Sequence, residues 1–135
     1  MKTKPVLELA DIKAIAAGAE AEALKNNWAV SISIVDDGGH LLWFQRLDGA
    51  APVSAHIAPG KARTAALGRR ESKLYEDMVN GGRVSFLSAP GVEALLEGGV
   101  PIIKDGQFLG AVGVSGVKST EDVQIAKAGI AAIGL

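Results

Sequence analysis

Apolar positions change their period several times along the chain, and each change marks an element. Ile12, Ala16, Ala19 and Ala23 recur at i, i+4, i+7 and i+11, which predicts an amphipathic helix from Leu9 to Asn26. Glu8 and Asp11 lie near its start, where the helix dipole favours negative charge. Asn26-Asn27 can take the left-handed conformation that ends it. From Val30 to Val35 apolar and small polar residues alternate, as in a half-buried strand. Asp36-Asp37-Gly38-Gly39 is hairpin-turn chemistry, and Leu41 to Leu47 forms the return strand. The predicted hairpin runs from Val30 to Arg46, with His40 at its turn.

Pro52 to Gly68 is Ala-rich and helical in pattern, but Pro59 in its middle demands a kink or a late start. Arg70 to Asn80 reads as a further helix with Leu74, Tyr75 and Met78 on one face, stopped by Gly81-Gly82. Arg83 to Gly91 reads as irregular, and Val92 to Leu96 as either a short strand or a helical turn. Val100–Lys104 and Gln107–Ser115 read as strands joined by Asp105-Gly106, a type I′ pair. On the second of them Gly110, Val112 and Val114 share a face with Phe108, and Leu109, Ala111, Gly113 and Ser115 share the other. Ser119-Thr-Glu-Asp122 resembles a capping box, and Val123, Ala126, Ile130 and Ile133 form the expected buried stripe of the last helix. Because the strands are joined as hairpins, the expected fold is a single α+β domain over 1–135, an antiparallel sheet with helices packed against it.

Composition narrows the chemistry. The 135 residues suit one domain, and 48% hydrophobic content supplies one core. A formal net charge of −1 without blocks of like charge argues against nucleic-acid or anionic-membrane partners. The absence of cysteine excludes disulfides, cysteine-built zinc or iron–sulfur sites and thiol nucleophiles. There is no signal-peptide pattern at the N-terminus and no apolar run approaching the roughly 20 residues of a membrane span, so the expected location is cytoplasmic. Glycine is abundant at 17 residues and aromatics scarce at 4%, which predicts tight turns and close backbone contacts around an aliphatic core.

Candidate chemistry is sparse. Gly110-Ala-Val-Gly113-Val-Ser-Gly116 has the wrong spacing for a dinucleotide fingerprint and lies inside a strand. Its small residues leave room for a helix, another subunit or a flat ligand, close helix packing being the ordinary reading. With only His40 and His56, a multi-histidine metal cage is impossible. His40 at the hairpin tip is either a solvated turn residue or a haem-iron ligand or proton-transfer group, because a haem needs only one protein ligand and an apolar slot. His56 reads as a helix-surface histidine, sharing a face with Gly60 and Arg63. Lys61 and Arg63 are candidate partners for a carboxylate or a haem propionate, or else solvated or ion-paired. Asp36-Asp37 is best explained as turn chemistry. Trp43 and Phe44 point to opposite faces of one strand, so at least one can line a ligand slot. No nucleophile–base pair can be placed in proximity, which leans the reading away from an enzyme.

Three stretches taken together carry a resemblance. Val35-Asp-Asp-Gly-Gly-His-Leu-Leu-Trp-Phe-Gln-Arg-Leu-Asp-Gly-Ala50, Lys61-Ala-Arg-Thr-Ala65 and Gly98-Gly-Val-Pro-Ile-Ile-Lys-Asp-Gly-Gln-Phe-Leu-Gly-Ala-Val-Gly-Val-Ser-Gly116, followed by Glu121-Asp122, resemble in order the signatures of the GlcG/HbpS family, also called the haem-degrading domain family. The resemblance implies a profilin-like or PAS-like fold with a central antiparallel sheet of about five strands, and homo-oligomers. It implies haem binding, with His40 as the iron ligand and Lys61 or Arg63 near the propionates. It further implies an accessory role in glycolate, diol or glycerol metabolism, since the same domain follows PduO-type corrinoid adenosyltransferases. The alternatives are a non-haem accessory protein that binds a corrinoid or small organic acid, and a ligand-free oligomeric subunit that binds a protein partner.

Overall fold

Residues 1–135 are described by a computed structural model. Helix α1 spans Leu9–Lys25 and buries Ile12, Ile15, Ala16, Ala19 and Ala23 along one stripe. The Asp11 carboxylate accepts the Glu8 amide at 2.9 Å, which satisfies a donor at the helix start. The helix ends as expected. Asn27 is left-handed at φ 58°, and the Trp28 and Asn27 amides return to the Ala23 and Leu24 carbonyls in a Schellman arrangement.

Strands β1 (Ser31–Asp36) and β2 (Leu41–Arg46) form the expected hairpin, but Ser31–Val35 are buried on both faces rather than half-buried, because helices cover both sides of the sheet. They are followed by α2 (Ser54–Gly68), α3 (Lys73–Asn80), a 3-10 helix at Val84–Ser88, β3 (Gly99–Lys104), β4 (Gln107–Ser115) and α4 (Ser119–Ala131). The turn between β3 and β4 has positive φ at both Asp105 and Gly106, as type I′ requires. All pairings are antiparallel, in the order β2-β1-β4-β3.

The sheet therefore has four strands rather than about five. Residues 92–96, read as strand or helical turn, are neither. They cross the flank of α2, where Thr64 Oγ1 donates to the Ala94 carbonyl at 2.9 Å and Ala94 faces Gly60. The Leu96 carbonyl accepts from Ser72 Oγ before α3 at 2.5 Å, and the segment adds no ladder.

The two sheet faces differ in kind. Ile32, Ile34, Val100, Ile102, Val112 and Val114 meet α1 and α4 in a core of branched side chains. On the other face Val35 and Ala111 meet Ala62, Ala65 and Ala66 of α2. There the spacing is set by backbone. A Cβ on Gly113 would overlap the Ala58 carbonyl and the Ala62 nitrogen, and one on Gly99 would overlap the Lys61 carbonyl. Helix packing thus accounts for Gly99 and Gly113, whereas a Cβ on Gly110 would overlap the Val35 carbonyl of the neighbouring strand.

Four local expectations are corrected. A bulge in β4 places Phe108 opposite Ile103 and Gly110 opposite Ile102, leaving Leu109 as the extra residue. Leu109 accordingly joins the core under α1 and α4, and Phe108 lies against the Arg69 guanidinium at the end of α2. Pro59 causes no late start: α2 begins at Ser54 and runs through it, which leaves the Ala55 carbonyl without its helical donor. In α3 only Tyr75 is buried, stacked on Phe86 with centroids 5.0 Å apart, whereas Leu74 is exposed. In α4 Glu121, not Asp122, closes the cap by accepting the Lys118 amide at 3.2 Å. Its buried stripe is Asp122, Ile125, Ala126, Gly129 and Ile130, with Val123 and Ile133 at the margin.

Seating α2 on bare backbone makes Gly113 intolerant of a methyl group. Gly113→Ala is expected to cost about 2–3 kcal/mol through overpacking. A melting temperature lowered by roughly 5–10 °C in a thermal scan would show it.

Candidate functional site

The hairpin tip is built by one carboxylate. Asp36 Oδ1 accepts the amides of Gly38 and His40, each at 2.9 Å, and lies 3.0 Å from the His40 ring nitrogen Nδ1. The Asp36 amide in turn donates to the His40 carbonyl at 2.9 Å. Burial alone would raise the Asp36 carboxyl, but the His40 and Gly38 amides and the His40 ring more than offset it and hold the group below the ordinary carboxylate range. The His40 side chain is 80% exposed, so the rest of its ring is open to ligands.

Helix α2 supports the tip from behind. Gly39, at φ +81°, faces the aliphatic stem of Arg63 and the Leu67 side chain, which would lie 3.0 and 3.4 Å from a Cβ placed there. Arg69 Nη1 donates to the Asp37 carbonyl at 2.6 Å, and Lys4 pairs with the Asp37 carboxylate. His40 and Arg63 are thereby gathered at one end of the molecule, beside the exposed apolar side chains of Leu41 and Leu67. Phe44 is exposed on β2, whereas Trp43 packs toward the core and donates to Gln45 at 2.8 Å. His56 lies exposed on α2.

Lys61 is elsewhere. Expected beside a propionate, it points into the protein, where Nζ donates to Asp122 Oδ2 and to the Val114 carbonyl, both at 3.0 Å. The ion pair is 5% and 2% exposed on its two side chains. Asp122 also accepts the Val117 amide at 3.2 Å. Burial pushes its carboxyl up, while the Lys61 ammonium pulls the other way. Lys61 and Arg63 are two residues apart on a helix, about 200° around its axis, so one faces inward when the other faces the tip.

Sequence reasoning treated Asp36 as turn chemistry alone and gave Asp122 a cap. The only available signal for Asp36 was its position four residues before His40. For Asp122 there was none, because its partner is 61 residues away.

The donor set at the tip fits a haem in its chemistry. An imidazole with one nitrogen held and the other exposed suits an iron, Arg63 supplies a cation, and Leu41 and Leu67 supply apolar surface. A cleft of about 130 Å³ beside the turn, lined in part by Lys4, Leu7, Asp36, Leu42 and Leu109, does not include His40. A flat ligand on His40 would rest on exposed surface rather than enter that cleft. No group of three or more His, Cys, Asp or Glu side chains is arranged to hold a bare metal ion.

The family described as "Haem degrading protein HbpS-like" matches residues 7–131. The chain belongs to the HbpS-like family. It is similar to Protein GlcG of Escherichia coli K12, 58% identical over 115 residues that cover 85% of each protein. It is 31% identical to the corrinoid adenosyltransferase PduO of Salmonella typhimurium, matching 99% of this chain but only 41% of that protein. Among solved structures, a PduOC:haem complex superposes with a TM-score of 0.85 at 31% identity, covering 95% of both chains. No helix of the HbpS-like chain described here is long and apolar enough to cross a membrane.

The buried pair makes a prediction about Lys61. Lys61→Met strands the Asp122 charge and is expected to cost about 3–5 kcal/mol in urea unfolding at neutral pH, whereas Lys61→Met with Asp122→Leu recovers part of that loss. The sign with pH follows from a carboxyl raised by burial. Asp122 in the variant holds its proton in the folded state above the unfolded pKa, so stability falls as pH rises from the ordinary carboxylate value through the raised one. The deficit of Lys61→Met should therefore narrow toward acid pH, and a deficit independent of pH would contradict it.

Proposed function

We propose that this protein binds haem at the hairpin tip, with His40 as the iron ligand and Arg63 beside a propionate. The observation that carries this reading is the likeness to PduOC, a protein solved with haem, over 95% of both chains. The family description, with haem in its wording, supports it. So does the tip itself, where an exposed imidazole, a cation and apolar side chains adjoin. Lys61 contributes by holding the fold, not by touching the ligand. Because the tip is open, a second copy of the chain supplies the other wall of the haem site, and the working form is a cytoplasmic homo-oligomer. In this reading the protein is an accessory to small-molecule metabolism of the glycolate, diol or glycerol kind and carries no catalytic constellation of its own.

A corrinoid is the competing ligand, and the relationship to PduO favours it. The two readings separate in solution. Hemin added to purified protein is expected to give a saturable Soret shift, and His40→Ala to abolish the histidine-ligated spectrum. Cobalamin is expected to leave the melting temperature unchanged, since only a ligand of the native state raises it. A cobalamin-dependent rise with no Soret response would replace haem by a corrinoid.

A further inference from the structure

His40 is not simply an exposed histidine, because its orientation is determined by its surroundings. Three donors converge on Asp36 Oδ1: the Gly38 amide, the His40 amide and the His40 ring, at 2.9, 2.9 and 3.0 Å. Asp36 Oδ2 lies 3.2 Å from the same Nδ1. A carboxylate engaged in this way is acceptor-only, so the ring nitrogen that faces it carries the hydrogen. A neutral imidazole has one N–H, and the lone pair then belongs to Nε2. The ring also has a seat. A Cβ on Gly38 would lie 2.8 Å from His40 Cε1, so the bare glycine leaves room for the ring to fold back over the turn. The rotamer and the tautomer are thus both set by the hairpin that carries the histidine.

We propose that Asp36 is the positioning residue of the site: it holds His40 as the Nδ1–H tautomer and presents the Nε2 lone pair outward as the ligand atom. The part of this that concerns iron rests on the haem reading above; the part that concerns the ring does not. A hydrogen-bonded outer nitrogen also makes an imidazole a better donor, and losing such a partner typically weakens metal binding by about 10–100-fold.

Asp36→Asn is the informative variant. Its side-chain oxygen can still accept the two turn amides, while its NH2 group takes the place of Oδ2 and donates toward Nδ1. The turn is kept, and the NH2 group in place of Oδ2 shifts the tautomer balance toward Nε2–H. Long-range 1H–15N spectra of the ligand-free protein should show Nδ1–H at His40 in the parent chain and a larger share of Nε2–H in Asp36→Asn, with a cooperative melt retained. Asp36→Ala provides a second comparison and should release the ring to the tautomer mixture of free imidazole. If the parent ring is Nε2–H, or if neither variant alters it, the positioning role is overturned regardless of haem. Hemin titration then tests the iron-facing part. Asp36→Asn should bind at least about tenfold more weakly than the parent. Affinity equal to the parent despite a shifted tautomer balance overturns positioning toward iron. If instead His40→Ala binds hemin like the parent, the haem-ligand reading has failed and only the tautomer lock survives, which the spectra report separately.

Discussion

Helix α2 lies on the sheet with backbone against backbone, and the rest of the structure takes its positions from that contact. Gly99 and Gly113 remove the side chains that would hold the helix away from the Lys61 and Ala58 carbonyls, and the Ala62, Ala65 and Ala66 methyls fill what space is left. Such a seat has little tolerance for sliding or rotation, because dense packing transmits a displacement of even one methylene. The Lys61–Asp122 ion pair fixes it further. It ties α2 on one sheet face to α4 on the other, and both charges also bond to backbone groups of the segment between β4 and α4 or of β4 itself. A buried pair of this kind is weak evidence for net stability, but an α2 shifted out of this register would leave an uncompensated charge.

That register reaches the hairpin tip. With Lys61 turned inward, helical geometry turns Arg63 outward, and Leu67 follows one turn later. Both then bear on Gly39, and Arg69 reaches the Asp37 carbonyl. The tip is thus supported by α2 on one side and closed on itself by Asp36 on the other. The His40 ring stands open there, with 80% of its side chain exposed. An exposed imidazole on a well-supported turn is what the proposed planar cofactor would require.

Much of this was legible along the chain. The period-2 run before Asp36, the Gly-Gly turn and the Asp105-Gly106 pair are local signals, and each lies where expected because turn chemistry and alternation act over a few residues. The first helix was equally clear from its alanines and its Asn27 terminator. Errors arose where distant residues decided. Leu109 changed faces because a bulge against β3 added a residue, and Asp122 left the cap because Lys61 offered it a charge. Leu95 and Ala94 look like strand material, but the Ala94 carbonyl bonds to Thr64 of α2 instead of a neighbouring strand.

For the tip the division is similar. The chain alone determined that a histidine would follow a glycine hairpin and that the sheet would be antiparallel, because each depends on local geometry. Tertiary structure decided which of two cations two residues apart would face the tip and which would be buried. It decided likewise that the carboxylate four residues before the histidine would hold its ring. Both outcomes depend on where α2 rests and how the turn closes, and those are settled by contacts between parts of the chain that no local pattern relates.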